Sequence, residues 1–195
     1  ANPIFYFNAR GGGGNDGLGA NWTHTFRRRI TSLMGGGFLL TTGEGTIYSF
    51  SALVGADAAL QDGGTNRLHR TSTTAWTETQ PDGLAYQYVS GRLVRIDTRG
   101  GLRYTLAYNG APRLTEIVGP YGQRTTLAYD GGDNVKRVVD PAGRITSFVV
   151  DGNGDLARVV SPELCITSMV YDGNHQMTAL INPLGGRTTM TYDAF

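Results

Sequence analysis

Prolines at positions 120, 141, 162 and 183 recur every 21 residues. Counted from each proline, the fifth residue is Thr125, Thr146, Thr167 and Thr188. The seventh is Leu127, Phe148, Met169 and Met190, the ninth is Tyr129, Val150, Tyr171 and Tyr192, and the tenth is Asp130, Asp151, Asp172 and Asp193. A fixed period of this size marks a repeat architecture, in which each copy completes itself against its neighbours.

Within a copy the period is two. Thr125, Leu127 and Tyr129 fall on one side of an extended segment and Thr126 and Ala128 on the other, which predicts a strand. Asp130-Gly131-Gly132 and Asp172-Gly173-Asn174 follow as turns, since Gly and Asn accept positive φ and Asp bonds its own backbone. A second strand comes next, Val135 to Val139, then Leu156 to Val160, then Met177 to Ile181. Proline ends each second strand because it has no N–H for the ladder, and Gly122, Gly143 and Gly185 then reverse the chain. Each copy is therefore a β-hairpin. A single hairpin buries four or five apolar side chains at about 1.5–3 kcal/mol each. Ordering its residues costs on the order of 30 kcal/mol. It stands only in a row of copies. The pattern continues upstream through Tyr88 and Tyr108, with second strands at Leu93–Ile96 and Leu114–Ile117. About five units are expected between residues 81 and 195, the last one incomplete. The fold class expected is all-β: 21-residue hairpins in a continuous, twisted antiparallel sheet, with an irregular β region over residues 1–80.

The stretches "YDGGDNVKRVVDPAGR" and "DGNGDLARVVSP" resemble the YD repeats of the RHS family. Val150 stands where that pattern has Tyr, and Leu164 where it has Gly. "GLGANWTHTFRRRI" is similar to the segment that precedes YD repeats, with Gly17, Gly19, Trp22, His24 and Phe26 as its marks. The resemblance implies long spiralling sheets that wrap a hollow shell around a toxin in bacterial polymorphic toxins and insecticidal toxin complexes, or an extracellular barrel in teneurins. It implies a bacterial, secreted or cell-surface protein whose partners are the rest of a longer RHS shell or further copies of itself.

The remaining N-terminal sequence reads less regularly. Residues 38–50 suggest a hairpin turning at Gly43-Glu44-Gly45. Residues 52–71 read as a loop with room for one helical turn. The glycines at 11–14 lack a phosphate-binding signature and read as a hinge or tight turn. "NPIFYFNAR" opens the chain with an alternating aromatic strand, and "RTTMTYDAF" closes it with a first strand lacking its hairpin partner. An unpaired strand is an open ladder edge. The expectation is head-to-tail association, Ile4, Phe5, Tyr6 and Phe7 of one molecule meeting the 187–195 edge, with Met190 and Tyr192, of the next. Such a contact, if it does not close, builds a filament.

Chemistry is sparse by comparison. Polar residues that recur every 21 positions are the mark of architecture, and no enzyme is expected. The turn aspartates read as caps of the turn backbone and not as an acid–base pair, which needs two carboxylates in unlike environments. Asp151-Gly152-Asn153-Gly154-Asp155 begins like a calcium loop but continues with Leu156 and Pro162 in place of Gly and Glu. His24, His69 and His175 share no ligand spacing, and Cys165, the single cysteine, has no readable base. No metal or other cofactor is expected. A net charge of +1 gives no pull toward nucleic acid, and no apolar run is long enough to span a membrane. The one dense basic spot, Arg27-Arg28-Arg29, reads as a solvated strand edge or turn, with a ligand patch as the alternative. Asn21-Trp22-Thr23 fits an N-glycosylation sequon. The alternative to a scaffold is an adhesin-like module, with exposed tyrosine and threonine ridges holding a glycan or a cell-surface partner.

Overall fold

The computed structural model describes residues 3–9, 16–61, 63–111 and 113–193. The glycine run 11–14 lies outside these, as do residues 194–195 of the expected terminal edge. Every regular element among the described residues is a β-strand, and every pairing is antiparallel.

The meander begins with β3 (Arg29–Ser32), β4 (Phe38–Thr41) and β5 (Ile47–Phe50), so the hairpin expected over 38–50 is present. The stretch 52–71 is not a loop. It forms β6 (Asp57–Ala59) and β7 (Arg67–Arg70), joined to β5 by a bridge between Phe50 and Leu60. Leu68, between exposed Arg67 and His69, is the buried residue that makes this polar stretch a strand. β8 (Ala75–Thr79), β9 (Ala85–Val89) and β10 (Arg92–Asp97) follow. The five residue pairs between β8 and β9 carry the ladder without a break across position 80.

β10 then returns to β3 through one residue pair, Arg92 with Arg29, and the Ile30 amide donates to the Gly91 carbonyl at 2.9 Å. β3 to β10 thus curl into a closed ring, while the sheet continues from β10 as an open run. Its strands are β11 (Arg103–Tyr108), β12 (Leu114–Val118), β13 (Arg124–Tyr129), β14 (Val135–Val139), β15 (Ile145–Val150), β16 (Leu156–Val160), β17 (Ile166–Tyr171), β18 (Met177–Ile181) and β19 (Arg187–Thr189). Each pairs with its neighbours in chain order.

Every hairpin from β11 to β18 breaks register at the same place. Thr115, Lys136, Ala157 and Thr178 are each an extra residue opposite the step into position 108, 129, 150 or 171. A bulge sharpens the right-handed twist, so identical bulges at a 21-residue period bend the sheet evenly. The concave face carries Leu106, Ile117, Leu127, Val138, Phe148 and Met169, all buried, and Thr125 lies fully buried among them. The convex face leaves Val149 and Val170 exposed. The ring has its own core of Leu40, Phe50, Leu68, Tyr88 and Leu93, with Phe38 against Trp76 at 4.5 Å between ring centroids.

A separate two-stranded sheet covers the concave face. β1 (Phe5–Phe7) pairs with β2 (Trp22–His24). Phe5 meets Phe148 edge-on at 5.0 Å and Phe7 meets Tyr171 at 5.8 Å. The threonine column records this cover: Thr125 is buried, Thr146 and Thr167 are half-buried, and Thr188 is exposed.

Candidate functional site

Three arrangements of polar groups stand out: a strap across the hairpin ends, a buried ion pair inside the ring, and a basic cleft between them.

The strap is the segment 16–21 leading into β2. The Val135 amide donates to the Gly17 carbonyl at 2.5 Å, the Ala20 amide to Gly154 O at 2.8 Å, and Asn21 Nδ2 to His175 O at 3.2 Å. Asp133, Gly154 and His175 are equivalent turn positions 21 residues apart, each with positive φ. The strap therefore meets three successive hairpin ends within five of its own residues. Glycine is required here. A Cβ on Gly17 would lie 2.8 Å from Asp133 O, and one on Gly19 would lie 2.7 Å from the Leu156 amide nitrogen. Trp22 Nε1 ends the run by donating to the Tyr171 hydroxyl at 2.8 Å.

The repeat-defining residues serve the main chain. The hydroxyls of Tyr108, Tyr129, Tyr171 and Tyr192 donate to the carbonyls of Leu93, Leu114, Leu156 and Met177, each 15 residues earlier and at 2.7–2.9 Å. These carbonyls lie past the last ladder pair between successive hairpins, where the bulge splays the strands. Burial raises Tyr129 and Tyr171 to a pKa of about 12, so both stay protonated donors. Val150 has no hydroxyl to offer Val135, and Val135 is the residue whose amide the strap takes up. Asp130 accepts from the Gly132 and Asn134 amides, Asp151 from Asn153 and Asp155, and Asp172 from Asn174 and Gln176, all at 2.8–3.0 Å. The Asn134 amide is the main cause of Asp130's lowered pKa. Pro141, Pro162 and Pro183 open the turns at the opposite end, where Gly143 takes φ +79°. The hydroxyls of the tyrosine ridge are thus turned to the backbone, and the rings are half-buried.

The residues named for inter-chain pairing are engaged within the chain. Phe5, Tyr6 and Phe7 pair with His24, Thr23 and Trp22. Ile4 exchanges hydrogen bonds with Thr25. The Met190 amide donates to Thr178 O at 3.0 Å. Asn21, the sequon residue, sits at φ 64° with its side-chain nitrogen on His175.

Arg28 corrects the reading of the arginine run as solvated. It is buried in the ring, its terminal nitrogen 3.0 and 2.8 Å from the two oxygens of fully buried Glu78. Tyr88 donates to Glu78 Oε2 at 2.7 Å and Asn66 Nδ2 to Oε1 at 3.1 Å, while the Tyr86 ring faces the guanidinium at 4.0 Å. Burial is the first cause acting on Tyr88, whose pKa stands well above the usual phenol value. Nothing in sequence spacing joins positions 28, 78 and 88; the ring closure does. On the far side of the strap, Asp151, Asp155, Asp172 and His175 line an open cleft, but Asp155 pairs with His175 Nδ1 at 2.9 Å and the other two carboxylates cap turns. Among the described residues no group of three or more metal-ligating side chains is assembled.

The basic cleft is lined by Asp16, His24, Arg27, Arg28, Arg29, Arg92 and Arg113, together with Phe26, Tyr108 and Leu114. Asp16 pairs with Arg27 and, at 3.3 Å, with Arg29. Burial, with Arg27 and Arg29 adding to it against Asp16, lowers His24 to a pKa of about 4.

Comparison with known proteins agrees with this geometry. Residues 113–145, spanning β12 to the start of β15, match the family model described as RHS Repeat. No curated protein matches the chain.

Proposed function

We propose that this chain, whose residues 113–145 match an RHS repeat, is a non-catalytic wall segment: a curved section of an extracellular β-shell. The observation that carries the reading is the unbroken ladder from β8 to β19, bulged at a constant register and covered on its concave face by β1 and β2. Repetition of this kind builds surface, since each hairpin adds a fixed increment of curvature. A wall favours internal pairing of the first strand over the donation of that strand to another molecule, and Phe5 and Phe7 are packed against their own sheet. The filament reading requires that packing to be undone. The polar repeat residues bond the backbone, which supports a scaffold role.

The deciding experiment is light scattering with negative-stain electron microscopy over a wide range of protein concentration. Discrete particles without fibres are expected. Fibres in which residues 4–9 gain hydrogen-exchange protection on assembly would replace the wall with the filament. Saturable, competable binding on a glycan array would favour the adhesin instead.

A further inference from the structure

The convex face of the open sheet changes character along its length. Over β10 to β13 its charges cancel: Asp97 accepts from Arg95 and Arg103 at 2.7 and 2.8 Å, and Glu116 pairs with Arg124. Over β14 to β18 no strand residue is a carboxylate. Arg137 and Arg158 are exposed there, and neither has an ion pair among the described residues. Apolar side chains surround them. Ile145, Val149, Ile166 and Val170 are 39–47% exposed, and Val160 lies between the two strands that carry them. Val149 stands opposite Arg158, and Ser147 opposite Arg137. The solvated face of an antiparallel sheet is ordinarily polar, and a contiguous apolar patch edged by charge marks an interaction surface.

We propose that the convex face of β14 to β18 docks an acidic amphipathic helix of a partner protein. The helix lays its apolar stripe over Ile145, Val149, Ile166 and Val170 and pairs its flanking carboxylates with Arg137 and Arg158. Periodicity selects a helix. A helix presents an apolar stripe and the charges beside it on one side, whereas a strand turns alternate residues to opposite faces. A bilayer fits less well. Basic clusters that read anionic lipid hold about four to eight Lys or Arg, and this face has two. The aromatic residues of these strands, Phe148 and Tyr171, lie on the concave side against Phe5 and Phe7, so no ring is offered as an interfacial anchor. A second copy brings no matching acidic face, since Asp97 and Glu116 are neutralised by their own arginines and Asp130, Asp151 and Asp172 cap turns. The docking face needs only the β14–β18 ladder, whether or not the sheet belongs to a shell.

The probe is a fluorescein-labelled helical peptide of about 18 residues, with a leucine stripe flanked by glutamates. A second peptide carries lysines in place of the glutamates. Fluorescence anisotropy with the purified chain is expected to show saturable, salt-weakened binding of the acidic peptide and binding of the basic one weaker by about tenfold or more. Arg137→Glu with Arg158→Glu should reverse that preference. Arg67→Glu with Arg70→Glu, equal in charge change and exposed on β7, should not. Circular dichroism checks that each variant keeps its β spectrum. Should the first variant not fold, the wild type decides alone: amide NMR shifts on adding the acidic peptide are expected in β14 to β18 and not in β3 to β9. No saturable binding, equal affinity for the two peptides, an unchanged preference in the folded variant, or shifts confined to other strands would each overturn the proposal. Co-sedimentation with phosphatidylserine vesicles without binding of the acidic peptide would give the face to a bilayer instead. A dimer abolished by Arg137→Glu with Arg158→Glu would give it to a second copy.

Discussion

Replacing Gly19 with alanine isolates what the strap contributes. Gly19 has φ +89°, and an added Cβ would lie 2.7 Å from the Leu156 amide nitrogen and 2.8 Å from Gly154 O. Gly143, at φ +79° with nothing within 4 Å of an added Cβ, is its control. Both substitutions pay the left-handed strain of about 1–2 kcal/mol. Both also stiffen the unfolded chain by similar amounts, which cancels in the comparison. Only Gly19→Ala presses on backbone atoms that cannot rotate away. It displaces the strap from Gly154 and loses the Ala20 amide bond, about 1 kcal/mol. It also loosens buried Leu18, whose partial exposure costs about 1–2 kcal/mol more. The expected destabilisation is about 3–5 kcal/mol for Gly19→Ala against about 1–2 kcal/mol for Gly143→Ala. Urea unfolding followed by circular dichroism measures both, as shifts in midpoint at constant m. If the two variants lose stability equally, within about 0.5 kcal/mol, the strap is not a structural tie.

Three further outcomes follow from the geometry. Glu78→Gln strands the buried Arg28 charge and is expected to cost about 3–5 kcal/mol, whereas the double change Arg28→Met with Glu78→Leu recovers most of it; urea titration of the two variants reads the difference. Tyr171→Phe removes a hydroxyl that both donates to Leu156 O and accepts from Trp22, so it should cost about 1–3 kcal/mol, more than Tyr192→Phe, which loses one bond; thermal melts rank the two. His24 is held neutral, its folded pKa of about 4 lying below the unfolded value, so its contribution is complete above pH 6.5 and is lost as pH falls toward 4. This amounts to about 3 kcal/mol, and His24→Phe should flatten that limb of the stability–pH curve.

The 21-residue period made the hairpins legible because each column has one task, repeated. Thr125 is buried, Tyr129 reaches back to Leu114, and Asp130 caps its turn, all at positions visible by counting. The bulges were invisible because their extra residues, Thr115, Lys136, Ala157 and Thr178, do not form a column of one residue type. β6 and β7 were hidden because their strands are three and four residues long and bury one residue each, Ala58 and Leu68. The Arg28–Glu78 pair and the basic cleft escaped for another reason. Both lie where the ring closes on itself, and closure is a long-range event with no local period.

That same closure explains why the irregular part of the chain holds the polar chemistry. A hairpin in mid-sheet has two ladder neighbours and needs only apolar columns and capped turns. The seam between β3 and β10 has a single residue pair, and the concave face has no neighbour at all within the repeats. Each deficit is met by groups brought from a distance: Glu78 and Tyr88 hold Arg28 across the ring, and Gly17, Ala20 and Asn21 hold three hairpin ends at once. Sequence divergence from the repeat is therefore concentrated where the sheet cannot complete itself by pairing. Lengthening the repeat run should leave these ties intact, whereas weakening them should open the ring and uncover Phe148 and Thr125 without unpairing β15 to β18.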